Sequence, residues 1–182
     1  ILGFAGGWAW QASGLGKGAT EEIVHGYIME HPEILPQAIQ RLQDREMAQR
    51  IEPLRQPLEM AYPGAVLGNP QGSVVLVEFS DYACPYCKTS VSDIEALIAD
   101  NEDLKVVLRH DPVLSAESEV AAQMALAAAD QGKFPAFHKA MFAKDRLSDE
   151  TIDAAAQEAG MDVAKARSDM ESGKYDMEMD TN

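Results

Sequence analysis

Apolar residues along the chain follow two different periods, which predict helices near the start and short strands in the middle. Residues 20–54 place apolar positions at helical spacing within a charged segment, so we expect two helices here. Thr20 is the predicted N-cap of the first helix, and His31-Pro32-Glu33 should interrupt the pattern. Val74 to Phe79 and Leu104 to Arg109 are rich in β-branched and aliphatic residues, which predicts two buried strands.

Helical periodicity returns between the two strands and after them. Residues 88–100 have the spacing of an amphipathic helix, giving a βαβ unit with parallel strands and a right-handed crossover. Ala65-Val66-Leu67 is a possible first strand, and the chain from Ser115 onward is nearly all helical. The sequence therefore predicts an α/β domain over residues 62–182, with a helical insertion over about 115–175.

The helical segment over residues 20–61 has an apolar stripe that is too thin to form a core alone. Tyr62-Pro63-Gly64 separates it from the α/β domain. The stripe can pack on its own domain or on copies of the same segment, and its irregular spacing does not give the number of copies. We favour the second arrangement, a homo-oligomer formed through residues 20–61.

Residues 1–19 form a separate N-terminal region. Ile1 to Trp10 is apolar but shorter than the roughly 20 residues that cross a bilayer. We interpret it as the remnant of a signal peptide or membrane anchor, followed by a polar spacer over residues 11–18. The expected location is therefore the periplasm or another exported compartment, either free or anchored at the N-terminus.

The charge of the chain limits its partners. Lys and Arg total 15 of the 182 residues against 30 Asp and Glu, a formal net charge of −15. Nucleic acids and anionic membrane surfaces carry charge of the same sign and are excluded as general partners. Only two cysteines are present, which excludes a disulfide-rich scaffold.

Both cysteines lie in one short motif, Cys84-Pro85-Tyr86-Cys87, between the first long strand and the following helix. The first turn of a helix presents unpaired N–H groups and a partial positive charge, which favours a thiolate at Cys84. Proline suits this turn because it lacks only an N–H that would be unpaired. The motif predicts thiol–disulfide exchange through a Cys84–Cys87 pair, with no other cofactor.

Two alternatives compete with a redox enzyme. A structural zinc site needs four ligands at short spacing, and the four histidines pair with nothing in the sequence. We therefore expect no metal and interpret each histidine as a surface or helix-end residue. The second alternative is a non-enzymatic oligomeric interaction module whose working part is the N-terminal stripe.

The stretch VEFSDYACPYCK, followed by LRHDPVL and AAQMALAAADQGKFPAFHKAMF, resembles the DsbA-like branch of the thioredoxin-fold oxidoreductases. The earlier stretch IVHGYIMEHPEILPQAIQRLQ resembles the oligomerisation segment that precedes this domain in ScsC-like periplasmic members. The resemblance implies a thioredoxin-like α/β fold with a helical insertion. It also implies a protein-disulfide oxidoreductase or isomerase that acts on protein thiols or disulfides and exchanges electrons with a redox partner protein.

The same resemblance implies a role for each residue of the site. Cys84 matches the exposed nucleophile and Cys87 the resolving thiol, while Pro85 and Tyr86 match the dipeptide that tunes the redox potential. Glu78 matches a buried acid that helps to move the proton of the resolving cysteine. An acid within such an apolar run otherwise has little reason to be there.

The chain departs from the family pattern after the helical insertion. The family continues with a cis-proline loop that faces the disulfide, two strands and a last helix, none of which is recognisable in this sequence. We therefore expect a fragment in which the strand over Val74 to Phe79 has an open edge. The direction of the reaction, oxidation or isomerisation and reduction, is left open.

Overall fold

A computed structural model describes residues 15–181 of the chain, and these fall into two compact units that divide after Leu54. The helical segment had been predicted to extend to residue 61, seven residues beyond this division. The described part of the first unit, residues 15–54, is mostly helical. Its elements are α1 (Leu15–Glu30), α2 (Ile34–Ile51) and a single 3-10 turn (Glu52–Leu54).

The predicted start of α1 at Thr20 is wrong, because the helix already begins at Leu15. The preceding residues Leu15, Lys17 and Ala19 favour helix although Gly16 and Gly18 do not, and α1 extends over all five. The predicted signal or anchor segment, Ile1–Trp10, lies outside the described residues. The break at His31-Pro32-Glu33 is confirmed, since α1 ends at Glu30 and α2 begins at Ile34.

The first unit exposes most of its apolar side chains. No residue of α2 is buried, and large apolar residues of both helices remain 41% to 72% accessible. These residues, which we call the apolar stripe, are Ile23, Val24, Tyr27, Met29, Leu35, Ile39, Leu42, Met47 and Ile51. Two helices with this surface bury too little apolar area to be stable on their own.

The second unit combines a small sheet with seven helices among the described residues. Its elements, in order, are α3 (Arg55–Glu59), β1 (Val66–Gly68), β2 (Val74–Ser80), α4 (Pro85–Asp100), β3 (Leu104–His110), α5 (Ala116–Asp130), α6 (Phe134–Phe142), α7 (Asp149–Glu158), α8 (Val163–Glu171) and α9 (Asp176–Thr181). The predicted strands and the alternation of strand and helix over residues 74–110 are confirmed.

The sheet has the strand order β1-β3-β2. β2 and β3 are parallel, with register from Val74 opposite Leu104 to Ser80 opposite His110, and β1 is antiparallel to β3. The central strand β3 is almost fully buried, whereas Val74 and Phe79 of β2 are about half exposed. Among the described strands β2 therefore lies at an edge, and its carboxyl end leads directly into the cysteine motif.

The main core of this unit lies within the helical insertion. Alanines on several sides of α5 let α6, α7 and α8 approach closely, and most residues of α5 are buried. Phe134 and Phe137 of α6 are completely buried in this cluster. A smaller cluster of Ile94, Leu104 and Val106 joins α4 to the sheet. The insertion therefore supports the end of the sheet where the motif lies.

Polar caps fix the ends of the insertion helices. Ser148 caps α7, since its hydroxyl accepts from Thr151 N at 3.3 Å and Thr151 Oγ1 accepts from Ser148 N at 2.9 Å. Gly160 ends the same helix with φ of 73°, in the left-handed region that glycine adopts freely.

Within residues 15–181 no helix has both the length and the apolar character needed to cross a bilayer.

Candidate active site

The loop that follows β2 carries the first cysteine to the N-terminus of α4. Cys84 is the N-cap residue in an extended conformation, with φ −80° and ψ 119°, and Pro85 occupies the first turn. The backbone N–H of Cys84 donates to Asp81 O at 3.0 Å, and Cys84 O accepts from Lys88 N at 3.0 Å. The sulfur therefore lies where the unpaired N–H groups of the helix converge.

The two cysteine thiols have opposite pKa shifts. The pKa of Cys84 lies below its ordinary value, chiefly because the backbone N–H of Cys87 donates to the sulfur, and then because the Cys87 thiol does. The pKa of Cys87 is raised, first by its burial. Both thiols are free in this structure and partly accessible. Cys84 is thus the more acidic thiol and Cys87 the more protected one.

Pro85 and Tyr86 form the outer surface of the motif. Both are exposed, and Tyr86 has 84% of its surface accessible. Neither side chain is needed for packing, so both are free to meet a substrate. The prediction that this dipeptide tunes the redox potential remains a prediction.

Glu78 lies on β2 and is half-buried. Its Oε1 accepts from Ser90 Oγ at 2.8 Å, and the Ser90 hydroxyl is also 2.9 Å from Cys87 O. Glu78 is therefore connected to the helical turn that carries Cys87 through one hydroxyl group. The structure brings the predicted acid close to the motif, but its role in proton transfer remains a prediction.

Asp81 is a site residue that the sequence interpretation missed. It is only 6% exposed, and its carboxylate accepts from Ala83 N at 2.8 Å and from Leu114 N at 3.0 Å. These bonds join the loop before Cys84 to the segment after β3. Asp81 lies two residues before Ala83, whose backbone N–H donates to its carboxylate. An aspartate at this spacing is a recognisable turn signal in a sequence, and it could have identified Asp81. Asp81 therefore fixes the backbone of the loop that leads to Cys84.

We expect Asp81→Asn to lower the free energy of unfolding by about 1 kcal/mol, because an amide nitrogen would face one of the two partly buried N–H donors. Urea denaturation of the full chain measures this change. Asp93→Asn on the exposed face of α4 makes the same chemical change at an accessible position. Equal stability of the Asp81 and Asp93 variants would contradict the role of Asp81 in the loop.

A cluster of buried aromatic and imidazole rings lies directly beneath the motif. Tyr82 stacks on His110 with 5.4 Å between ring centroids, and its hydroxyl is 3.3 Å from His138 Nδ1. Phe137 and Phe142 pack against the Tyr82 ring at 5.9 and 4.8 Å. We call these five rings the buried ring cluster. It anchors the loop that ends at Cys84 to α6.

The interpretation of all four histidines as surface or helix-end residues is wrong for two of them. His110 is 2% exposed and His138 is 5% exposed. Burial lowers the pKa of His110 to about 3 and that of His138 to about 4, so both rings are neutral at neutral pH. Within the described part of the chain, both ring nitrogens of His110 have no hydrogen-bond partner.

The two buried histidines do not form a metal site with their neighbours. Across residues 15–181, no group of three or more histidine, cysteine or acidic side chains is arranged to hold a metal ion. The cluster around His110 is instead made of phenyl and phenol rings, which are poor metal ligands. The expected absence of a metal and of any further cofactor stays a prediction.

Two family models match separate segments of the chain. The thioredoxin family matches residues 61–182, and the N-terminal domain of the copper resistance protein ScsC matches residues 18–49. The first match alone covers more than half of the chain. The second covers most of α1 and α2, where the sequence analysis had found the ScsC-like resemblance.

The curated relatives are much longer proteins. The Na⁺/H⁺ antiporter NhaA 1 of Salinispora arenicola is 35% identical over 80 residues, which are 43% of this chain and 12% of that protein. NhaA 3 of Salinispora tropica is 30% identical over 105 residues, 56% of this chain and 16% of that protein. The chain thus spans less than a fifth of the relatives' length.

Solved structures give broader coverage. A thioredoxin-like oxidoreductase of Silicibacter pomeroyi is 38% identical with a TM-score of 0.60, over 64% of this chain and 68% of that one. The thiol-disulfide exchange protein alpha-DsbA2 of Wolbachia pipientis is 29% identical with a TM-score of 0.68, over 77% of both chains. ScsC of Proteus mirabilis shares the fold, with 24% identity and a TM-score of 0.62 over 91% of this chain and 79% of that one. This chain therefore belongs to the thioredoxin family.

Proposed function

We propose that this chain catalyses thiol–disulfide exchange with protein substrates, with Cys84 as the attacking thiol and Cys87 as the resolving thiol. The opposite pKa shifts of the two thiols carry this proposal. A thiol of lowered pKa supplies more thiolate at neutral pH, and the thiolate is the nucleophile. Proteins of the same family that are named for thiol-disulfide exchange and oxidoreductase activity support the same reaction.

The exchange proceeds in two steps that conserve electrons. The Cys84 thiolate attacks one sulfur of a substrate disulfide, forming a mixed disulfide and releasing the other substrate sulfur as a thiolate. Cys87 then loses its proton and attacks Cys84, which forms the Cys84–Cys87 disulfide and releases the second substrate thiol. The substrate gains two electrons and the chain loses two, so a redox partner protein must return the electrons before another turnover.

Glu78 has a defined place in this sequence. Cys87 must lose a proton although burial raises its pKa. We assign Glu78 to this step, as a partly buried carboxylate connected through Ser90 Oγ to the turn that carries Cys87. Pro85 and Tyr86 are the exposed residues between the thiols and would set the potential of the pair.

We further propose that the protein works outside the cytoplasm, from its reduced form, as a reductase or isomerase of exported proteins. An oxidising compartment is where substrates with disulfides accumulate. A thioredoxin-like neighbour from Salmonella enterica, 25% identical with a TM-score of 0.55, is described as periplasmic, which supports this location. An oxidase would run the same two steps in reverse.

Alkylation with neutral iodoacetamide at a series of pH values from about 5 to about 9 tests the assignment of the thiols. We expect Cys84 to react first, with a midpoint below that of an ordinary thiol, and Cys87 to react only at higher pH. Mass spectrometry of the reduced full chain measures both sites separately, and reduction of insulin disulfides measures activity. If Cys84 and Cys87 had equal alkylation midpoints at about pH 8.5 and the chain did not reduce insulin, the proposed function would be contradicted.

The apolar stripe supports a homo-oligomer as the working form. Its residues are exposed on α1 and α2, and this segment matches the ScsC N-terminal domain. A second copy would cover apolar area that one chain leaves in water. This surface also keeps the non-enzymatic interaction module as a second candidate, which the alkylation and insulin experiments would favour if both gave negative results.

We expect Ile39→Glu to weaken the oligomer, because a charge buried between copies without a partner costs several kcal/mol. Light scattering at several protein concentrations measures the mass of the particle. Gln37→Glu adds the same charge at an exposed polar position on the opposite face of α2 and is the control. A wild-type chain that remains monomeric at all concentrations would contradict the oligomer.

A further inference from the structure

A cleft beside Cys84 gathers basic side chains in a chain that is acidic overall. It has a volume of about 210 Å³ and lies between the cysteine loop and the segment that follows α6. Its apolar lining includes Tyr82, Phe142 and Leu147. Lys88, Lys144 and Arg146 also line the cleft, against a single acid, Asp145. Cations therefore outnumber acids here, whereas the whole chain has a net charge of −15.

Two of the three cations are available to a ligand. Lys144 Nζ is paired with Glu158 Oε2 at 2.6 Å, so its charge is largely neutralised. Lys88 Nζ donates to the backbone O of Lys144 at 2.7 Å, a contact that fixes the ammonium at the cleft without neutralising it. Arg146 is exposed. Within residues 15–181, neither Lys88 nor Arg146 forms a salt bridge with a carboxylate.

The size of the cleft limits what it binds. Sites for drug-sized ligands and cofactors have volumes of about 300 to 1,000 Å³, so this cleft suits one or two amino-acid side chains. Its apolar lining matches the methylene part of a side chain, and the cations at its walls match a terminal carboxylate. Because Cys84 belongs to the same lining, the side chain that enters must be close to the substrate cysteine.

We propose that this cleft selects protein substrates in which the cysteine attacked by Cys84 is followed or preceded by glutamate or aspartate. This inference rests on the proposed function and adds the substrate class. Lys88 and Arg146 bind the substrate carboxylate, while Tyr82, Phe142 and Leu147 pack against its methylene groups. The charge of the rest of the chain repels acidic polypeptides, so the attraction is local to the cleft. Lys88 and Arg146 are specificity residues.

Three quenched fluorescent peptides with one disulfide test the proposal, differing only in the residue next to the attacked cysteine, which is Glu, Gln or Lys. The reduced full chain is expected to reduce the Glu peptide with the highest kcat/KM and the Lys peptide with the lowest. We expect a ratio of about 5 to 30 between these two at low salt, as for a few screened charge pairs. The ratio should fall towards one as the salt concentration rises.

The double variant Lys88→Gln with Arg146→Gln is expected to reduce the Glu peptide no more than about twofold faster than the Lys peptide, since both cations are gone. Lys165→Gln removes one charge at an ion pair with Asp169 on α8, away from the cleft lining, and should keep the wild-type ratio. The pH profile of Cys84 alkylation is measured for every variant, and the peptide ratios are compared at pH values where the Cys84 thiolate is equally populated. This separates substrate selection from reactivity.

Two results would overturn the inference while leaving the proposed function intact. One is equal kcat/KM for the three peptides with the wild-type chain, and the other is a Glu preference that survives in the double variant. Failure to reduce any of the peptides, with an ordinary pKa for Cys84, would overturn the proposed function and the inference with it.

Discussion

Cys84→Ser is expected to abolish reduction of protein disulfides by the full chain, with a loss of about a thousandfold or more in rate. A serine hydroxyl is not ionised at neutral pH and cannot form a mixed disulfide, so neither step of the exchange remains. Insulin reduction and turnover of a disulfide peptide measure the loss. The fold should be unaffected, because a serine hydroxyl at this N-cap can accept from the same backbone N–H of Cys87.

Cys87→Ser is the matched control, since it makes the same sulfur-to-oxygen change three residues away. This variant should still attack a substrate disulfide once but should stop at the mixed disulfide, because the resolving thiol is missing. Non-reducing electrophoresis and intact mass would detect the trapped adduct on Cys84. If the Cys84 variant trapped the adduct instead, the roles of the two cysteines would be reversed. Normal turnover by either variant would show that the replaced cysteine is not required.

The buried ring cluster makes the fold sensitive to acid. The unfolded chain protonates His110 and His138 at about pH 6.5, whereas in the folded chain burial lowers their pKa values to about 3 and about 4. Asp81 near His110 and Glu95 near His138 act in the opposite direction, but burial dominates. The unfolded state therefore binds more protons below about pH 6.5, and stability is lost as pH falls.

We expect the free energy of unfolding to fall by up to about 1.4 kcal/mol per pH unit for each of the two histidines, from about pH 6.5 to about pH 4. His110 alone continues the loss to about pH 3. Urea denaturation at a series of pH values measures this slope. Carboxylates add to the acid sensitivity, so the informative quantity is the difference between the wild-type chain and a histidine variant.

His110→Leu is expected to remove about half of the histidine contribution and to move acid unfolding to lower pH. At neutral pH it should leave stability unchanged or raise it, because an apolar side chain replaces a buried ring without hydrogen-bond partners. His25→Leu, at an exposed position of α1, should leave the pH dependence as in the wild type. An unchanged slope for His110→Leu would show that this ring is not the source of the effect.

The elements around the motif could be predicted because each has a simple local signal. β2 and β3 are rich in Val and Leu, and α4 has apolar residues at helical spacing after a Cys-Pro pair. Their parallel pairing follows from the length of the helical crossover. The start of α1 could not be predicted, since Leu15 and Ala19 favour helix as much as the residues after Thr20 do.

The buried histidines were missed although the sequence carried a usable signal. His138 lies four residues after Phe134 and four before Phe142, which places it on the same face of α6 as these two buried rings. His110 lies two residues after Leu108 and four after Val106 on β3, so it shares their buried face. Histidine as a residue type is seldom fully buried, so only the spacing of His110 and His138 relative to their apolar neighbours indicates that they are buried. Tertiary contacts such as Asp81 to Leu114 depend on loop geometry, which no local period determines.

The packing of Tyr82 also sets an order of events during synthesis. β2, α4 and β3 are neighbours in sequence and can pair as soon as residues 74–110 have emerged. Tyr82 completes its contacts only after Phe137 and Phe142 of α6 have been made. The loop of a nascent chain therefore lacks its support until the insertion folds. Cys84 therefore reaches its positioned state only after α6 has been made.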